Sequence, residues 1–359
     1  MPDRPPRSRL PHFLAGIYGL AIFYASLQPF AGWIPPPPGA AYFLLGPWPT
    51  RWTRFDVLAN TLAYVPFGFF VGLIPRHRST PHQLAMAILA GAGLSLPLET
   101  LQMYTPLRDA SVVDLAANVA GAALGGLAAI GFARAPDAKR AVADYRIRLF
   151  LPGTVGDLGI ALVAVWLAVQ VNPGIPLFAS VFEAAPRLGD SDGARDLAAV
   201  LLAGAHSAFQ LLGVGLFLAL LLRHRRHAAG AVLLLIGAAL LVKGVAAAVL
   251  LKPAAWERWL SPGVSMGVAA GTLLLSVAIW LPRPAQVALA TVALLSSLFA
   301  TLLLPELVFA RPPLALFDWS YGQLLNFNGL THAVLLAWPL VASGFLAALA
   351  GHPGWGEPR

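Results

Sequence analysis

Three pairs of polar residues interrupt apolar sequence in the first third of the chain: Asp56 with Asn60, Glu99 with Gln102, and Asp114 with Asn118. The members of each pair stand three or four residues apart, so on a helix they share one face. A carboxylate beside a carboxamide can accept from an ammonium or hydroxyl group, hold a cation, or exchange a proton when its pKa is raised. Ionisable groups at membrane depth are costly, and they mark by default a functional site that faces the protein interior. Arg108 lies between the second and third pairs, within reach of either. If all three acids are ionised, the local charge is negative. A bound cation, a raised carboxyl pKa, or pairing with Arg54 and Arg108 would resolve it. The plain alternative is that these groups tie three helices together, at ~0.6–2 kcal/mol per contact.

The elements that must position them are membrane spans. Of 359 residues, 58% are hydrophobic and 11% charged, against about 25% charged in soluble domains. Apolar runs of about 20 residues recur along the whole chain, as in helices that cross a bilayer. Spans are expected at about 12–30, 55–75, 83–104, 112–133, 153–172, 197–222, 228–251, 262–281, 285–304 and 330–350. The fold class is therefore all-α: a polytopic helical membrane protein of about ten transmembrane helices. The first run follows a basic segment with Arg4, Arg7 and Arg9, but the next span follows closely. A retained first helix is expected rather than a cleaved leader. Between them, Gly32–Thr53 holds four consecutive prolines, Pro35–Pro38, with Trp33, Trp48 and Trp52. Such a segment reads as a stiff interfacial loop.

Charge sets the orientation. With the N-terminus cytoplasmic, 15 of the 24 Lys and Arg residues fall in inner segments and eight in outer ones, Lys243 lying within a span. This bias places both termini in the cytoplasm. The second and fourth helices then run inward and the third outward, so all three polar pairs lie at similar depth in the outer half of the membrane. The longest inner connection, Arg134 to Arg148, divides the chain. A four-helix domain is expected at 1–133, a basic cytoplasmic linker at 134–152, and a six-helix domain at 153–359. No internal repeat relates the halves, so the usual pointer to an inverted-repeat transporter is missing.

Other residues read as structural. Gly121 with Gly125 and Gly126, and Gly68 with Gly72, fit the small-xxx-small pattern of closely packed helices. Asp157 is expected at the inner interface or against the basic linker. His206 and Gln210 share a face of the sixth span, and Lys243 on the seventh lies at the depth of His206. That pair could share a hydrogen bond or a proton, or the lysine could snorkel outward. The loop 304–329, with Arg311, Asp318, Trp319, Asn326 and Asn328, reads as an interfacial anchor or a cover over the cluster. The stretch Asp190–Asp196 reads as a solvated acidic loop. There is no cysteine, which excludes disulfides and thiol chemistry, and no metal or nucleotide motif occurs. No cofactor is expected. The net charge of +8 does not suggest nucleic acid, because the arginines sit in short clusters between apolar runs.

Read together, Asp56-Val-Leu-Ala-Asn60, Pro66-Phe67-Gly68, Glu99-Thr-Leu-Gln102, Arg108 and Asp114-Leu-Ala-Ala-Asn118-Val-Ala-Gly121 resemble the VanZ-like family of membrane proteins. The resemblance covers about residues 20–130. It implies a compact multi-helix domain, and the family name comes from a glycopeptide-resistance protein linked to teicoplanin. No settled reaction, substrate or cofactor comes with it.

The expectation is a multi-pass protein of a bacterial cytoplasmic or inner membrane, partnered by membrane lipid. Its outer-leaflet site, formed by Asp56, Asn60, Glu99, Gln102, Arg108, Asp114 and Asn118, would recognise a lipid-linked envelope precursor or a lipophilic glycopeptide. Two alternatives stay open. One is an intramembrane enzyme with Glu99 or Asp114 as general acid or base. The other is a cation- or proton-coupled transporter.

Overall fold

A computed structural model of the protein describes residues 8–39, 41–46, 52–75, 79–105, 110–178, 193–255, 258–303 and 322–351. It is 80% helical, with no strand among the described residues apart from an isolated bridge between Phe150 and Leu222. Seven of the described helices are long and apolar enough to cross a membrane, and two more are apolar but shorter. The chain is thus an all-α polytopic membrane protein. It divides into two compact units, Met1–Ile147 and Arg148–Arg359.

The first unit holds α1 (Leu10–Leu27), α2 (Arg54–Leu73), α3 (Thr80–Gln102) and α4 (Val112–Ala133). Thr53 caps α2, and Ser111 caps α4 by accepting from the Val113 amide at 3.1 Å. The α2–α4 contact is backbone against backbone. A Cβ on Gly68 would collide with the carbonyl of Ala122, one on Gly121 with that of Thr61, and one on Gly125 with that of Val65. Glycine is required here for close approach, as the small-residue spacing predicts. These contacts advance together along both helices, so α2 and α4 run parallel. On α3 the order reverses: Ala87 meets Gly126, Gly91 meets Ala122, and Ser95 meets Asn118. A small apolar core including Tyr64, Phe67, Leu98 and Ala122 fills the space between. Pro66 and Pro97 sit inside α2 and α3 without ending them.

The basic stretch expected as a plain connection is largely helical. It forms α5 (Pro136–Leu149), which contains no buried residue.

The second unit holds α6 (Gly153–Val169), α7 (Gly193–Leu220), α8 (Ala228–Leu250), α9 (Pro262–Ala278), α10 (Arg283–Leu303) and α11 (Gly322–Ala350). Its centre is α7, whose Leu211, Leu216 and Phe217 are fully buried. Gly204 meets Gly263 and Gly267, and Ala208 meets Gly271, so α7 and α9 also run parallel at close range. The Phe217 ring lies 5.6 Å from that of Trp338 and 5.4 Å from that of Phe345. α11 starts well before the span expected at 330, because the polar residues that lower its hydropathy are used inside the unit. Asn328 is buried and accepts from Asn172 at 2.8 Å. Residues 322–329 are therefore helix rather than loop, and 304–321 lie outside the described residues. So do 190–192, and α7 already begins at Gly193.

Candidate functional site

The N-terminal end of α2, the C-terminal end of α3 and the N-terminal end of α4 meet at one end of the first unit. Five of the seven expected site residues form a bonded level there. Asn60 on α2 donates through Nδ2 to Asp114 Oδ1 on α4 at 2.8 Å. One turn deeper, Asn118 donates to the Ser95 hydroxyl of α3 at 2.8 Å. Glu99, only 4% exposed, accepts from the backbone N–H of Ser111 at 3.0 Å. Gln102 donates to the carbonyl of Ser26 in the last turn of α1 at 2.9 Å, which draws the first helix into the same end.

Asp56 has a different task. Its carboxylate accepts from the Thr53 amide at 3.1 Å and the Thr53 hydroxyl at 2.6 Å, while Thr53 Oγ1 accepts from the Asp56 amide. That is a closed capping box, worth about 1 kcal/mol to the helix end. Ser111-Val-Val-Asp114 is the same Ser/Thr-x-x-Asp pattern on α4. There, however, Asp114 reaches across to Asn60 on α2. Arg108 lies outside the described residues.

Ser95, Tyr64 and Ser111 belong to the site although polar spacing within the three pairs did not single them out. Each had a signal. Ser95 stands four residues before Glu99, and Tyr64 four after Asn60, so both lie on the faces already marked. Tyr64 is hydrogen-bonded to Ser95, with Glu99 within electrostatic reach. Ser111 is the N-cap residue that its capping pattern predicts.

The loop after α1 lies over this end. Ile34 donates its amide to the Tyr104 carbonyl at 2.9 Å, and Tyr42 shares a 2.8 Å hydrogen bond with Thr100 near the end of α3. Two buried acceptors beneath it, Asn118 Oδ1 and Gln28 Oε1, have no hydrogen-bond partner among the described residues. A buried polar atom left unpaired costs about 1–3 kcal/mol, so an orphan of this kind calls for a ligand, water or ion. Together with the carboxylates of Glu99 and Asp114, they make the end of the unit rich in acceptors. Its complement is a group that donates.

In the second unit, Lys243 does not snorkel. It is fully buried and donates to the carbonyls of Asn172 and Ile175, each at 2.8 Å. Asn172 in turn donates to Asn328 at 2.8 Å and to Thr331 at 3.2 Å. The lysine therefore fastens the turn after α6, adding to the 3.4 Å bond from the Ile175 amide to the Asn172 carbonyl and supplying a donor to the Ile175 carbonyl. His206 and Gln210 are also buried, and both are engaged within the chain. Asp157 is fully buried and engaged within the chain. Pairing of residues 149–151 with 221–223 carries the chain past the start of its helix, through Leu151 to Leu221 at 2.8 Å and Arg223 to Leu149 at 2.9 Å.

The first unit is thus a four-helix membrane domain with a polar, acceptor-rich end. The family model described as VanZ/LLP1 matches residues 14–133, so the chain carries a VanZ-like domain over α1 to α4. No curated protein matches the chain, and neither does any solved structure.

Proposed function

We propose that the polar end of the VanZ-like domain binds the donor-bearing head of a membrane-embedded amphiphile. A lipid-linked envelope precursor or a lipophilic glycopeptide of the teicoplanin type has the required chemistry, namely hydroxyl or ammonium groups on an acyl-bearing body. The observation that carries this reading is the unpaired, buried Asn118 Oδ1 beside Ser95, one turn below Glu99 and Asp114. An orphan acceptor near two carboxylates favours a donor ligand over a purely structural knot. The reading places the domain in a bacterial cytoplasmic membrane with its polar end toward the outer leaflet, in keeping with the charge bias of the loops.

The test is mass spectrometry of lipids that co-purify with the full chain, with added teicoplanin as a second probe. Glu99→Gln keeps an oxygen for the Ser111 amide but removes the charge, and Asn118→Leu removes the orphan acceptor. Both should lose the bound amphiphile while Asp56→Asn, at the helix cap, retains it. Recovery no higher than background from wild type, or equal recovery from all four proteins, would sink the reading.

A further inference from the structure

Helix α5 has an exposed apolar face with none of the described residues burying it. Ala138, Ala141, Val142 and Tyr145 follow the i, i+3, i+4, i+7 spacing and share one side of the helix. Val142 is 57% exposed and Tyr145 67%, and no residue of α5 is buried. By the same repeat, Lys139 and Arg146 flank this face on one side, while Arg148 flanks it on the other beside Asp137 and Asp144. Arg140, farther round the helix, pairs with Asp137 at 3.4 Å. Asp144, Arg146 and Arg148 also engage neighbouring groups of the chain.

The position of the helix names what covers it. α5 begins within three residues of the end of α4, a helix long and apolar enough to span a bilayer. Arg134, between them, donates to Thr80 at the start of α3 at 3.3 Å. α5 therefore starts where the first unit leaves the membrane, at the end opposite the polar cluster. An exposed apolar stripe flanked by cations at that level is complementary to the acyl boundary and headgroups of an anionic leaflet.

We propose that α5 is a lipid-binding interfacial helix, seating Ala138, Ala141, Val142 and Tyr145 in the bilayer surface and holding anionic headgroups with Lys139, Arg146 and Arg148. This site is separate from the acceptor-rich end and does not depend on what binds there.

Because the chain has no cysteine, a single introduced thiol can be labelled uniquely. The full chain carrying Val142→Cys, Tyr145→Cys, Arg140→Cys or Ala143→Cys would be labelled with an environment-sensitive fluorophore. Each would be placed in nanodiscs of phosphatidylcholine with or without phosphatidylglycerol. With phosphatidylglycerol, labels at 142 and 145 should shift to the blue and resist acrylamide quenching, while those at 140 and 143 stay quenched. The shielding should weaken in phosphatidylcholine alone, at high salt, and when Lys139→Gln, Arg146→Gln and Arg148→Gln are combined with Tyr145→Cys. Equal quenching at all four positions would overturn the proposal. So would shielding at 142 and 145 that ignores phosphatidylglycerol, salt and the charge substitutions, since a protein surface would then be the cover.

Discussion

Lys243 and Asn118 are both buried amide or amine side chains in membrane helices, yet their surroundings assign them opposite characters. Lys243 gives two hydrogen bonds to carbonyls in the turn after α6, of which the Asn172 carbonyl also accepts from the Ile175 amide at 3.4 Å. Asn118 gives one and keeps an unpaired oxygen. Removing the lysine therefore removes stability, and removing the asparagine removes binding. Lys243→Met should leave the buried Ile175 carbonyl without a donor and the Asn172 carbonyl with only the long bond from the Ile175 amide. The expected loss is about 1–3 kcal/mol, read as a clearly lower thermal midpoint in detergent. Asn118→Leu should lower the midpoint less than Lys243→Met, because it deletes an orphan acceptor along with the one hydrogen bond to Ser95. A midpoint that falls as far for Asn118→Leu as for Lys243→Met would mean the asparagine is glue.

At the scale of the element, the α2–α4 contact is set by glycines whose missing Cβ atoms admit backbone carbonyls. Gly121→Val or Gly125→Val should force the two helices apart and abolish a monodisperse elution profile. Gly93 and Gly131, on the same helices or their neighbour, have open space where a Cβ would go. Gly93→Ala and Gly131→Ala should instead be neutral or gain about 0.5–1 kcal/mol, since glycine in a helix interior is the poorer residue. Similar losses for all four would show that the contact is not what makes the first pair sensitive. The caps allow a finer comparison. Thr53→Ala should cost about 1 kcal/mol by opening the box at α2, whereas Asp114→Ala strands the part-buried Asn60 amide on a neighbouring helix and should cost more. Apolar run length and polar spacing made these helices legible in sequence: α4 is expected and observed at 112–133. Less legible were elements whose hydropathy misleads. α5 is too polar to read as a span, and the first turns of α11 carry Asn326 and Asn328, whose partners lie far away in sequence. Asp56 was grouped with the other acids because spacing alone does not separate a carboxylate that caps its own helix from one that crosses to another.

For the whole molecule, the two ends of the first unit differ in charge character. Glu99 and Asp114 lie at one end, while Arg134 and the cations of α5 lie at the other. α2 and α4 run parallel with α3 reversed, so the two ends face opposite sides of any membrane the unit crosses. Retention of Lys and Arg on the cytoplasmic side, as the charge bias of the sequence leads one to expect, would then place the polar end outside. The location of the proposed amphiphile site follows from this orientation and is lost if it is inverted. α6 and α9, at 17 residues each, reach ~26 Å at 1.5 Å per residue. A bilayer core of ~30 Å is crossed by such helices only with help from flanking chain or local thinning. Single thiols test both matters in intact cells with a membrane-impermeant reagent. Pro38→Cys in the loop over the polar end, and Lys252→Cys after α8, should label from outside. Ala143→Cys on α5 should label only after permeabilisation. Label at Ala143→Cys but not Pro38→Cys would invert the first unit and turn its acceptor-rich end toward the cytoplasm. If Lys252→Cys alone were protected, the crossings contributed by the second unit would differ from the expected alternation, and α6 would be the helix to suspect of stopping short.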